Sequence, residues 1–315
     1  MPKPLLIDTD PGIDDAVAIA LALAQPEVEV IGITTVGGNS GLAHTTRNTL
    51  RLLELLGRTD IPVASGASEP YQRQVKAPAA AGVHGHDGFG GVDLPDPVTK
   101  IVSTNAADFL AEKIRNSSEP VTLVALGPLT NIAHLVDAHP DVIALIERFV
   151  IMGGAARTGN VTPVAEFNIW HDPESAKRVF SSGLEVVMVG LDVTNSLKTY
   201  EHLWDWLADA GKFGKAYAKM LGVYTDFYSS FYGERMTHQH DAIAVAEAIW
   251  PNCTNPQAAF IDVECESPLT DGMTVVDVNM RHGQKPNAYV CWSIDGDLFH
   301  QRLMTALQNL AKTIN

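Results

Sequence analysis

Asp8-Thr9-Asp10-Pro11-Gly12-Ile13-Asp14-Asp15-Ala16 follows directly on the apolar run Leu5-Leu6-Ile7 and opens the helix-spaced apolar segment Ile13–Ala24. That order reads as a buried strand, a tight turn and a helix. The same alternation continues outward. Val28–Val36, Val121–Leu126, Phe149–Met152 and Val186–Leu191 read as further buried strands, while Ala43–Leu56, Ala106–Arg115, Leu129–Val136 and Pro173–Phe180 carry helical spacing. Strands alternating with helices predict an α/β fold: an open, mostly parallel sheet flanked by helices on both faces. Beyond Leu197 the rhythm changes to helical stretches at about 201–232 and 241–250. Strand-like Ala259–Cys265, Met273–Val278 and Ala288–Trp292 follow, then a helix near 296–313. No linker or repeat separates the halves, so residues 1–315 are expected to form a single domain with a helical and mixed-strand C-terminal extension. Residues 66–104 form the one long irregular stretch, of the kind that serves as a lid, a binding loop or a disordered segment.

Composition narrows the function. The chain has 22 Lys and Arg against 37 Asp and Glu, a net charge of −15. Such a field repels phosphodiester backbones and anionic membranes, which excludes nucleic acid and membrane surfaces as expected partners. Cys253, Cys265 and Cys291 are odd in number and lack metal-site spacing, which fits a reducing cytoplasm. Carboxylates interrupt the N-terminus early, and the longest apolar run, Ala16–Ala24, is shorter than the roughly 20 residues of a membrane span. Neither export by a signal peptide nor anchoring is expected.

In open parallel sheets ligands bind beyond the carboxyl ends of the strands. Those positions hold Asp8 to Asp15, Gly37-Gly38-Asn39, Gly127-Pro128, Gly153-Gly154, and Asp192 with Asn195, and none is a lysine or arginine. Asp8, Asp10, Asp14 and Asp15 admit two readings. They are helix-dipole and loop-amide partners, or hard oxygen ligands for Ca²⁺ or Mg²⁺, with Ca²⁺ favoured by its higher coordination number. An Asp-x-Asp phosphotransferase turn would continue with Gly-Thr and need a cation for phosphate; Pro11-Gly12 follows instead. In Glu166-Phe167-Asn168-Ile169-Trp170-His171-Asp172, Asp172 reads as a helix cap before Pro173. Glu166 and Asn168, alternate residues on an expected extended segment, would grip adjacent sugar hydroxyls. In His238-Gln239-His240-Asp241, a zinc pair and a satisfied loop histidine compete with His240 as an acid beside a metal carboxylate.

Taken in order, Asp-Thr-Asp-Pro-Gly-Ile-Asp-Asp-Ala, Gly37-Gly38-Asn39, Val83-His84-Gly85, Leu126-Gly127-Pro128-Leu129-Thr130-Asn131, Met152-Gly153-Gly154, Glu166-Phe167-Asn168 and His240-Asp241 resemble the nucleoside hydrolases of the inosine-uridine preferring family over essentially the whole chain. The resemblance implies hydrolysis of the N-glycosidic bond of ribonucleosides to base and ribose, one Ca²⁺ per subunit, and a homodimer or homotetramer. It implies Asp10, Asp15, Asp241 and the Leu126 carbonyl as metal ligands, with Asp10 also the base on metal-held water. Asp14, Asn39, Glu166 and Asn168 match residues on the ribose hydroxyls; Met152 and Asn160 match the lining of the sugar site. His240 matches the leaving-group acid, His84 a histidine of pyrimidine-preferring members, and Tyr224 and Tyr228 aromatic positions near the base. Having both His84 and His240 leans toward pyrimidine or mixed inosine-uridine preference. The extra His86-Asp87 pair either reaches the base or stabilises its loop. The rival classes are a catalytically silent nucleoside- or ribose-binding protein and a phosphorylase; the latter would need a strand-end Arg or Lys.

Overall fold

A computed structural model describes residues 2–74 and 81–314. Nine strands form one sheet: β1 (Lys3–Thr9), β2 (Val28–Thr35), β3 (Val63–Ser65), β4 (Val121–Ala125), β5 (Ile146–Met152), β6 (Val186–Val189), β9 (Pro256–Val263), β10 (Thr274–Asp277) and β11 (Ala288–Cys291). Two short strands, β7 (Thr199–Tyr200) and β8 (Met236–Thr237), pair apart from it. The order is β10-β9-β11-β6-β5-β4-β1-β2-β3. Pairing is parallel from β3 as far as β11, and antiparallel where β9 and β10 close the C-terminal edge. The α/β expectation and its mixed C-terminal extension therefore hold.

The helices are α1 (Ile13–Leu23), α2 (Leu42–Leu55), α3 (Ala81–His84), α4 (Ala106–Asn116), α5 (Thr130–Ala138), α6 (Phe167–His171), α7 (Pro173–Phe180), α8 (Leu191–Thr194), α9 (Gly211–Tyr232), α10 (His240–Ile249) and α11 (Gly296–Ile314). Alternation along each strand sorts its side chains onto two faces. Leu5 and Ile7 join one buried cluster with α1, α9, α10 and α11. Leu6 joins the other with α4, α5 and α7. Each buried Leu, Ile or Val contributes about 1.5–3 kcal/mol, so both faces anchor β1 firmly. The alanines of α1, all buried from Ala16 to Ala22, let it lie close against α10.

The chain runs β1, β2, β3 outward in one direction and then restarts with β4 on the other side of β1. That reversal opens a crevice at the carboxyl ends of β1 and β4, where doubly wound sheets bind ligands. Among the described residues no helix is long and apolar enough to cross a membrane. Of the irregular stretch 66–104, residues 75–80 lie outside the described residues.

Candidate active site

The crevice opens into a cavity of about 670 Å³ lined by Asp14, Asn39, His84, Leu126, Met152, Asn160, Glu166, Asn168, Tyr224, Tyr228, His240 and Asp241 among others. It thus gathers residues from strand ends far apart in sequence. No lysine or arginine is among its described lining residues.

Its floor is carboxylate. Gly12 N donates to Asp15 Oδ2 at 2.8 Å and the Thr9 hydroxyl to Asp15 Oδ1, closing the first turn of α1. Asn39 N donates to Asp10 Oδ2 at 2.7 Å, and Asn39 Nδ2 reaches Asp10 O and Asp15 Oδ2 at 3.3 Å each. Oxygens of Asp14, Asp15 and Asp241 all lie within 4.8 Å of one another. The charges of Asp15 and Asp14 bear on Asp10. Burial, and then repulsion from the neighbouring aspartates, holds Asp10 and Asp241 well above the usual carboxylate range; burial raises Asp14 to about 6.

A cation fits this floor. At an effective dielectric constant of 20, two full charges about 5 Å apart repel by about 3 kcal/mol, so three such carboxylates ionise together only against a counter-charge. Asp10 Oδ1 and Asp14 Oδ1 are buried without a hydrogen-bond partner. The chain also leaves room for Asp10. A Cβ on Gly38 would stand 2.0 Å from its Oδ2, and one on Gly127 2.5 Å from its Oδ1. An all-oxygen donor set of this kind suits a hard divalent ion.

On the opposite side, Glu166 caps α6. Its carboxylate accepts from Asn168 N and Gly154 N at 2.9 Å and from Ile169 N at 3.2 Å, and burial raises it to about 7. The extended segment expected at Glu166 to Asn168 is instead a cap followed by one helical turn. The reason is that this carboxylate satisfies the first free N–H groups of the turn. Asn168 donates both amide protons, to Leu126 O at 2.7 Å and Met152 O at 3.0 Å, so its Oδ1 is left as an acceptor. Asn160 Oδ1 accepts from Phe167 N at 3.0 Å, which leaves its Nδ2 to donate. Asp172 caps α7 through Ser175 N, as expected, and also takes the hydroxyl of Thr130.

The third side is aromatic. Ile13 N donates to His84 Nδ1 at 3.2 Å, which places the ring proton on Nε2, 3.9 Å from Asp14 Oδ1. His84 stacks on Tyr224 with centroids 5.4 Å apart, and burial lowers it to about 4. Tyr224 donates to Asp14 Oδ2 at 3.2 Å. His240 is held at both nitrogens: Nε2 lies 2.9 Å from Tyr228 Oη and Nδ1 2.8 Å from Thr194 Oγ1. Burial pushes it well below the ordinary histidine range. His238 donates from Nδ1 to Leu197 O at 2.9 Å and meets Tyr228 edge-on. Asp87 accepts from Phe89 N and Gly91 N and so ties its own loop, while His86 is exposed. Phe227, Phe231 and Tyr232 complete the wall, and sequence reasoning missed them, as it missed Thr194.

The sequence model of the inosine-uridine preferring nucleoside hydrolases matches residues 5–301. The pyrimidine-specific ribonucleoside hydrolase RihA of Salmonella agona is 42% identical over 99% of this chain and 100% of that one. Among solved structures, the purine-preferring ribonucleoside hydrolase from Gardnerella vaginalis superposes with a TM-score of 0.93 at 34% identity, covering 99% of this chain and 100% of its own. A plant nucleoside hydrolase, PpNRh1, gives 0.92 at 33% identity, over 98% and 99%.

Proposed function

The chain belongs to the inosine-uridine preferring nucleoside hydrolase family, and from that premise we propose that residues 1–315 act as one unit that hydrolyses ribonucleosides to free base and ribose, with pyrimidine or mixed inosine-uridine preference. One observation carries the reading. Hydroxyl acceptors, a cation-ready carboxylate floor and an aromatic wall share one cavity that holds no cationic side chain among its described lining.

Breaking an N-glycosidic bond gathers positive charge on the sugar and negative charge on the departing base. The floor and the cap answer the first charge, because Asp14 and Glu166 surround the ring with anions where positive charge develops. Asn168 Oδ1, free because both its amide protons are committed to carbonyls, accepts a ribose hydroxyl, and Asn160 Nδ2 donates to another. These contacts fix the sugar against a pinned backbone, so orientation costs little at the moment of reaction. Asp10, Asp15, Asp241 and the Leu126 carbonyl would hold Ca²⁺. When bound, the ion neutralises the carboxylates and makes water more acidic, though only modestly. Asp10 therefore acts as the base: its unpartnered Oδ1 accepts a proton from the attacking water.

The departing base needs a proton, and His240 supplies it. The resting ring is neutral, so it takes up a proton from water before the step and returns to neutral when it passes that proton to the base from Nε2, the nitrogen beside Tyr228 Oη. His84 and Tyr224 stack beside it and face the base plane.

A cavity without Lys or Arg disfavours phosphate beside Glu166. Uridine should therefore be hydrolysed and uridine 5′-monophosphate should not, read as ribose against ribose 5-phosphate release. Equal rates on the two would refute the reading of the sugar site.

A further inference from the structure

His240 sits on the first turn of α10, and a histidine ring on such a backbone is free to turn about its outer torsion, which is broad rather than staggered. A half-turn would exchange Nδ1 and Nε2 with ring carbons and break the contact to Tyr228. Two contacts oppose it, Tyr228 at Nε2 and, at the other ring nitrogen, Thr194. Its hydroxyl lies 2.8 Å from His240 Nδ1, on the side away from Tyr228. Thr194 is fully buried at the end of α8, which itself follows β6, so its position is set by the sheet. It does not line the cavity, although its neighbour Asn195 does.

We propose that Thr194 is a positioning residue for the leaving-group step: its hydroxyl occupies His240 Nδ1 and so turns Nε2 toward Tyr228 and the departing base. A hydroxyl suits this task because it hydrogen-bonds the ring in either protonation state and adds no charge of its own. The proposal rests on His240 being the leaving-group acid, as argued above.

The test uses uridine and inosine, whose bases need a proton, against p-nitrophenyl riboside, whose leaving group does not. Thr194→Val keeps the side-chain shape and removes the hydroxyl. The expected loss of kcat on uridine and inosine is about tenfold, a fraction of the 10²–10⁴-fold that general acid catalysis supplies. KM should hold, p-nitrophenyl riboside should lose much less, and Thr194→Ser should restore the rate. In a His240→Ala background, Thr194→Val should add no further loss on uridine, because coupled residues are not additive. Equal losses on all three substrates, or a Thr194→Val loss that persists undiminished without His240, would overturn the proposal. If His240→Ala itself fails to discriminate between the substrate types, the acid assignment falls and takes this role with it. If His240→Ala discriminates and Thr194→Val does not, only the role of Thr194 falls.

Discussion

The floor and the wall of the cavity are built in opposite ways. The floor aspartates stand within a few positions of a strand end and are buried, and two are tied to backbone, Asp15 by Gly12 N and Asp10 by Asn39 N; across from them Glu166 is tied by three amides. The wall comes largely from the last three turns of α9, and its outer rings are exposed. Phe231 is 72% exposed and Tyr232 55%. The difference matches the two halves of a nucleoside. Ribose is common to all of them and is met by buried groups held by hydrogen bonds. The base varies and is met by stacked rings, which tolerate a change of ligand because stacking follows area more than pattern.

The comparison breaks if floor changes depend on the base. Asp10→Ala removes the base on water, and the expected result is a loss of at least about 10²–10⁴-fold in kcat, equal for uridine, cytidine, inosine and p-nitrophenyl riboside. A loss that varies strongly among them in steady-state kinetics would tie Asp10 to the leaving group instead.

A middle-sized effect concerns stability. Burial raises Asp8 and Glu166 to about 7 and Asp14 to about 6, above their ordinary values. The folded chain therefore keeps protons that the unfolded chain has already released, and stability falls as pH rises through roughly 4 to 7. With a chelator present, the melting temperature should drop across that window. Ca²⁺ should offset the drop, by about 2.7 kcal/mol when the free ion is 100 times its dissociation constant. A melting temperature flat with pH, or indifferent to Ca²⁺, would contradict the cation-ready floor.

The smallest effect belongs to the wall. Phe231→Ala should shift the ranking of bases by a few-fold in kcat/KM, on the scale of about 0.5–1.5 kcal/mol for an aromatic pair, and leave p-nitrophenyl riboside close to wild type. A uniform loss across substrates would make Phe231 a structural residue.

The floor was legible in the sequence because strand ends announce themselves. Asp8 to Asp15 follow an apolar run, Asn39 follows a Gly-Gly pair, and Asp241 opens an apolar helix. Strands β3, β7 and β8, with two or three residues each, are too short to show a period. Glu166 to Asn168 read as extended because α6 is one turn long and depends on a cap that only the fold supplies. The wall was harder. Tyr224, Tyr228 and Tyr232, and Phe227 and Phe231, recur every fourth residue, a spacing that identifies one helix face without saying whether core or cavity lies against it. Thr194 belongs to no motif, and only its distance to His240 distinguishes it from other buried threonines.

The central claim is that a cation held on the floor serves hydrolysis of the glycosidic bond. Its most direct measurement is ribose release from inosine, uridine, cytidine, adenosine and guanosine in phosphate-free buffer, with and without a chelator. The account predicts ribose from uridine, and from inosine if the preference is mixed, suppressed by the chelator and restored by Ca²⁺. Release from none of the five without phosphate, or release that the chelator leaves untouched, would contradict it.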